Sequence, residues 1–300
     1  MGKPHRSGFV NIIGRPNVGK STLMNALVGE RMSIITNKPQ TTRHRIIGIV
    51  SDDDYQIVFS DTPGFIKDPS YEMQESMNKF VSGSFKDGDI MILVVDVTET
   101  YDSDNPLFKK LEGVEVPLFL VLNKKDLVEE AVLFNKVMEW KDKANFQEII
   151  PISALQKKGT DTLIECILDN LPIGPVYYPK DQFTDRPERF FVSEIIREKI
   201  LMNYYQEIPY ACEVVVDAFE EDPDPKKNLV RIHAIIYVAR ASQKNIIIGK
   251  KGAAIKNVGV NARYAIEKFL DKKVYLEMFV KVKDNWRNDD KMLKSFGYKE

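Results

Sequence analysis

Gly14-Arg15-Pro16-Asn17-Val18-Gly19-Lys20-Ser21 satisfies the pattern G-x-x-x-x-G-K-[ST], and its surroundings decide what it means. An apolar run from Phe9 to Ile13 precedes it and a helix-like run from Thr22 to Val28 follows. Strand, loop and helix in that order make a phosphate-binding loop: the glycines let the backbone turn successive N–H groups inward, and the helix adds the positive end of its dipole. A polyphosphate fits there. Lys20 is placed to lie along its β- and γ-phosphates and the Ser21 hydroxyl to ligate Mg²⁺, with Arg15, Pro16, Asn17, Val18 and Thr22 completing the cradle.

Composition bounds the rest. Three hundred residues with 43% hydrophobic content bury a sizeable core and suggest about two domains. With 43 Lys and Arg against 44 Asp and Glu the formal net charge is −1, so any charged surface must come from segregation along the chain. Cys166 and Cys212 stand alone, with no C-x-x-C and no neighbouring His, which fits two thiols in a reducing cytosol rather than a disulfide or a metal site. The opening MGKPHRSG has no apolar h-region, Arg6 stands where a myristoylation signal needs Ser or Thr, and no apolar run approaches the ~18 residues of a membrane span. A cytoplasmic chain is expected.

Downstream of the loop, Arg31 to Arg45 is polar, contains Thr41 and Thr42, and has no periodicity. The runs Ile46 to Ser51 and Gln56 to Ser60 flank the turn signal Asp52-Asp53-Asp54 and predict a hairpin. Its second strand ends in Asp61-Thr62-Pro63-Gly64, where a carboxylate stands behind the Mg²⁺ ligands and a glycine lets a backbone N–H reach the γ-phosphate. Ile90 to Val95 and Leu118 to Leu122 are continuous apolar runs alternating with helical patterns, the signature of a parallel, doubly wound α/β sheet covered on both faces. Such sheets bind ligands at the carboxyl ends of their strands. There the second run meets Asn123-Lys124-Lys125-Asp126, and a short run, Glu148 to Ile152, meets Ser153-Ala154-Leu155. The Asp126 carboxylate can accept from N1–H and the exocyclic amino group of guanine, a pairing adenine does not offer.

These five stretches, in order over residues ~8 to 172, resemble the G-motifs of a translation-factor-class GTPase. The resemblance implies that Thr42, rather than Thr41, closes over the γ-phosphate and Mg²⁺. It also exposes a departure: Phe65 stands where Ras-like enzymes carry a water-orienting Gln after the glycine of DxxG. Enzymes of that kind with Asn in the loop, here Asn17, are similar to those that recruit K⁺ through it, so Lys20, Asn17, Thr42 and Gly64 form the expected catalytic set.

Leu171 to Pro179 is too rich in proline to continue a helix, so a GTPase domain is expected over 1–172, a linker over 173–189 and a second domain over 190–300. That second part reads helix, two strands, short helix, Gly249-Lys250-Lys251-Gly252, long helix, strand, and this order resembles an α+β type II KH domain. Its G-x-x-G loop lets an RNA backbone approach closely. Between Arg240 and Lys283 eleven Lys and Arg face three acids, the segregated charge of a nucleic-acid surface. Arg240, Lys244, Lys256 and Arg263 join the G-x-x-G residues as candidate RNA contacts.

A P-loop GTPase followed by a type II KH domain, with segments such as PNVGKSTL and KKVYLEMFVKVKDNWR, is similar to the Era family of ribosome-assembly GTPases over essentially the whole chain. The resemblance implies a monomeric switch run by GTP/GDP and Mg²⁺ that binds the 3′ end of 16S rRNA during 30S subunit maturation. It implies peripheral inner-membrane association as well. The competing reading is an assembly chaperone that keeps nucleotide as a structural ligand and hardly hydrolyses it, which Phe65 keeps open. A small-molecule P-loop kinase is disfavoured by N-K-K-D.

Overall fold

The computed structural model describes residues 4–101 and 106–299, so Met1–Lys3 of the amino-terminal reading lie outside the described residues. The chain divides into two compact units, Met1–Ser70 with Gln74–Asp185 and Tyr71–Met73 with Arg186–Glu300.

The first unit is built on β1 (Arg6–Ile13), whose side chains past its first residue are almost all buried, and α1 (Lys20–Val28). Gly29 ends α1 in the left-handed region at φ 83°, its N–H donating to the Asn25 carbonyl, a conformation that favours glycine. β2 (Ile46–Ser51) and β3 (Tyr55–Asp61) pair antiparallel, because a three-residue acidic turn is too short for a crossover. Next come α2 (Glu72–Ser84), which belongs to this unit from Gln74 on, β4 (Ile90–Asp96), α3 (Pro106–Leu111), β5 (Leu118–Asn123), α4 (Glu130–Lys141), β6 (Glu148–Pro151) and α5 (Thr160–Asn170). The sheet order is β2-β3-β1-β4-β5-β6, parallel throughout except for β2. Every residue of β4 and β5 is buried, as continuous apolar strands between helices require. The parallel strands therefore end on one edge, and β1, β3, β5 and β6 deliver Gly14, Asp61, Asn123 and Ser153 to it.

The stretch from Pro172 to Phe183, most of it expected as linker, is anchored along this unit. Ser7 N donates to the Pro172 carbonyl at 3.0 Å, and the buried Gln56 side chain accepts from the backbone N–H groups of Tyr177 and Tyr178 while donating to the Tyr178 carbonyl. Ile49 N donates to the Phe183 carbonyl at 2.8 Å.

The second unit comprises α6 (Glu188–Asn203), the single turn α7 (Ile208–Ala211), β7 (Cys212–Glu221), β8 (Leu229–Val238), α8 (Ala241–Ile248), α9 (Ala253–Leu270), β9 (Lys273–Val282) and α10 (Asp290–Ser295). Its sheet has the order β7-β8-β9, antiparallel then parallel. Val230, Ile232, Ala234, Ile236 and Val238 share the buried face of β8 and meet Val258, Ala262 and Ile266 of α9 and Val192, Ile196 and Ile200 of α6 in one core. Trp286 is fully buried after β9, its indole N–H donating to the Ala211 carbonyl at 3.2 Å.

Candidate functional site

At the carboxyl edge of the large sheet, the loop from Gly14 to Ser21 borders a cavity of about 450 Å³. Two glycines there have steric reasons to be glycine. At Gly19, φ is 99° and a Cβ would meet Asn123 Nδ2 at 2.2 Å. At Gly14, a Cβ would meet the Val94 carbonyl at 2.4 Å. Lys20 Nζ donates to the carbonyls of Gly14 (3.1 Å) and Arg15 (2.8 Å), bonds it can exchange for phosphate oxygens. Burial pushes the Lys20 ammonium down to about 8, with Asp61 pulling it the other way. A bound phosphate must raise it again, so binding near pH 8.5 takes up protons, whereas at pH 6.5 both states are already protonated. The Lys20 contribution to GDP affinity is thus expected to be flat below about pH 8 and to weaken above it. Calorimetry in two buffers of different ionisation enthalpy measures the proton uptake, and Lys20→Met abolishes it.

A second cluster lies behind Ser21. Its hydroxyl contacts Thr42 Oγ1 at 2.7 Å and donates to Asp61 Oδ2 at 2.7 Å, and Ser33 donates to the same carboxylate oxygen at 3.0 Å. Asp61 Oδ1 is buried without a hydrogen bond. Burial pushes this carboxyl above the usual range, although Lys20 and the surrounding hydroxyls pull it down. A hydroxyl pair backed by a carboxylate with an unpaired oxygen suits an octahedral, oxygen-preferring Mg²⁺. The structure separates the two threonines: Thr41 Oγ1 is spent on Thr36 Oγ1 (2.7 Å) and the Lys38 carbonyl (2.6 Å), leaving Thr42 at Ser21.

The N-K-K-D side of the cavity is held by Asn123, whose Nδ2 donates to the Val18 carbonyl at 2.8 Å and whose Oδ1 accepts from Ala154 N at 3.0 Å. One buried side chain thereby ties the phosphate loop to Ser153-Ala154-Leu155, and removing it leaves two buried groups unmet at ~1–3 kcal/mol each. Lys124 sits in the left-handed region and pairs with Asp96 at 2.5 Å. Burial opposes charge on Asp96, but Lys124 and Thr98 hold its carboxyl below the ordinary value. Asp126, Leu127 and Leu155 line the cavity mouth, Leu155 at 80% exposure, an apolar pair beside a carboxylate where a base can sit.

Other placements differ in kind from the sequence reading. The Arg15 side chain lies over the Tyr101 ring, with Cζ 4.6 Å from its centroid, which leaves the backbone of Arg15 in the loop. Thr62 donates to the Ile12 carbonyl at 2.9 Å and Pro63 is buried, so neither lines the cavity. At Gly64 a Cβ would collide with Pro16 at 2.7 Å, a packing reason for glycine beside the chemical one. Asn17 has φ 65° and its Nδ2 donates to the Asn37 carbonyl at 3.2 Å. Ile34, Ile35, Thr36, Asn37 and Gln40 complete the cavity wall and were invisible in an aperiodic loop, although Asn25, which accepts from Met32 N and Ser33 N, shows how that loop is pinned.

In the second unit the G-x-x-G turn joins α8 to α9. Gly249 (φ 70°) has Ala254 Cβ where its own Cβ would be, at 2.6 Å, whereas the direction open at Gly252 is clear. Lys250, Lys251, Arg240 and Lys256 are exposed, and Lys244 and Arg263 half-buried. Lys256 and Arg263 line a groove of about 290 Å³ between α9 and β9 with Ile255, Val260, Leu276 and Met278. Cations over an apolar floor fit a backbone and its bases together.

Two family models match the chain: "50S ribosome-binding GTPase" over residues 9–124 and "KH domain" over 207–287. GTPase ERA-like, chloroplastic, of Oryza sativa subsp. japonica is 48% identical over 298 residues, covering 98% of this chain and 70% of its own length. GTPase Era of Syntrophus aciditrophicus is 47% identical over 296 residues, covering 98% and 96%. A crystal structure of Era in complex with MgGDPNP and nucleotides 1506–1542 of 16S ribosomal RNA superposes with TM-score 0.91 at 35% identity, covering 99% of this chain and 100% of that one.

Proposed function

The chain belongs to the Era family of GTPases, and we propose that its GTP cycle gates the binding of the 3′ end of 16S rRNA to the KH unit during maturation of the 30S subunit. The observation that supports this reading is the union, in one chain, of a cavity lined by residues of the Gly14–Ser21 loop and of N-K-K-D with an exposed basic G-x-x-G loop. The large-subunit wording of one family model concerns residues 9–124 alone, outside the KH unit, and the RNA held by the solved relative is that of the small subunit.

In this reading Lys20 exchanges its two carbonyl partners for β- and γ-phosphate oxygens, and the N–H groups of the loop meet the same charge. Ser21 and Thr42 would ligate Mg²⁺ with Asp61 behind them, the ion neutralising charge on the β- and γ-phosphate oxygens. Binding assays with short single-stranded rRNA segments test the gate: affinity should differ between the GTP-analogue and GDP forms, and equal affinity in both would refute it. No helix among the described residues is long and apolar enough to cross a membrane, so the membrane association that the family implies would be peripheral.

With Phe65 at the Gln position, extra charge must reach the β–γ bridge from elsewhere. Asn17 donates its amide N–H to Asn37, which leaves its carbonyl oxygen to coordinate K⁺ at the cavity. Replacing K⁺ by Na⁺, or Asn17→Ala, should slow single-turnover phosphate release by about tenfold or more, as losing one transition-state charge partner does, with GDP affinity nearly unchanged. Equal rates in both salts refute the K⁺ site. Negligible turnover in either salt favours the chaperone reading.

A further inference from the structure

We propose that Lys110 is a positioning residue for hydrolysis: it holds the Phe65 ring back from the nucleotide cavity and so keeps open the space from which water attacks the γ-phosphate. The inference rests on the reading of this cavity as the site of GTP hydrolysis. Phe65 follows Gly64 directly, and Gly64 lines the cavity whereas Phe65 does not. The half-buried Phe65 ring lies under the Lys110 ammonium instead, with Nζ 5.0 Å from its centroid. That ammonium is itself fixed by the end of α2, donating to Ser82 Oγ at 2.9 Å and lying 5.8 Å from the Phe85 ring centroid. One cation thus joins α3, α2 and the turn after β3.

The attraction of a cation for a ring face makes this arrangement more than contact. Phe65 sits in a segment with little regular structure, two residues beyond Pro63 and directly after Gly64 of the cavity wall; in the proposed motion a ring released by Lys110 turns into another staggered χ1 well toward that wall. A phenyl group there offers no donor or acceptor to a nucleophile and occupies the place of the water that a Gln would orient. Lys110 therefore acts on the rate only through Phe65, and that dependence is what an experiment can isolate.

The test is a double-mutant cycle read by single-turnover GTP hydrolysis, with GDP affinity measured alongside. Lys110→Met should lower the hydrolysis rate about threefold at unchanged GDP affinity. Lys110→Gln keeps a donor for Ser82 but removes the charge, and should fall equally. Lys110→Arg restores a cation over the ring and should restore the rate. In a Phe65→Ala background, where there is no ring to restrain, Lys110→Met should change nothing. A parent rate unaffected by Lys110→Met, a Gln variant as fast as the parent, or an equal loss in both backgrounds overturns the proposal. A parent protein that hydrolyses no GTP at all overturns the underlying reading of the cavity instead, so the two failures are distinct.

Discussion

Asp126→Asn is expected to shift nucleotide preference from guanosine to xanthosine forms by ~10⁴ or more, the discrimination characteristic of a site that hydrogen-bonds its substrate's own groups. The carboxylate accepts from N1–H and the 2-amino group of guanine; a carboxamide turns one of those acceptors into a donor, which suits the 2-oxo group of xanthine. The surrounding loop should survive the change because Asp126 does not hold it. Asn123 ties it to the Val18 carbonyl and Ala154 N, and Lys124 ties it to Asp96. Asp126 is exposed at the cavity mouth, so the substitution leaves no buried group unmet. Competition between GDP and XDP for the same site reads the result. Full retention of the guanosine preference in the variant would remove Asp126 from the base site.

How much of this was legible depended on whether a residue's partner is set by local pattern. The continuous apolar strands and the alternation in β8 were readable because burial is periodic in a regular element. The convergence of Gly14, Asp61, Asn123 and Ser153 was readable because a parallel sheet delivers its strand ends to one edge. α2 was hidden: it buries Met73, Met77 and Val81 at helical spacing, but Gln, Glu, Ser and Asn fill the rest and leave a faint stripe. Pairings between distant segments were hidden as well. Nothing near Gln56 in sequence announces that its buried amide serves Tyr177 and Tyr178, and nothing near Pro16 announces that its ring fills the space beside Gly64. The motif alone puts Arg15 in the phosphate cradle, yet a neighbouring aromatic, Tyr101, takes its side chain. A motif fixes the backbone path and leaves its variable side chains to local packing.

Lys250→Asp combined with Lys251→Asp should weaken binding of single-stranded rRNA segments by about tenfold or more per charge, and flatten its salt dependence by ~0.7 in slope for each phosphate that is no longer neutralised. The turn itself can carry the change. Lys251 occupies the left-handed region at φ 51°, which Asp tolerates better than most side chains, and Lys250 is exposed. Both glycines remain, and they serve different ends: Gly249 is required by Ala254 packed against it, while the open direction at Gly252 leaves room for a backbone to approach. Replacing Gly249 would confuse loss of fold with loss of RNA affinity, whereas reversing the two lysines changes charge at constant backbone. GDP affinity should stay at the parent value, because the phosphate cavity belongs wholly to the other unit. Titration of a labelled rRNA segment at three salt concentrations supplies both numbers. If affinity and slope match the parent's, the basic stretch from Arg240 to Lys283 is a solvated surface, and the RNA-binding reading of this loop fails with it.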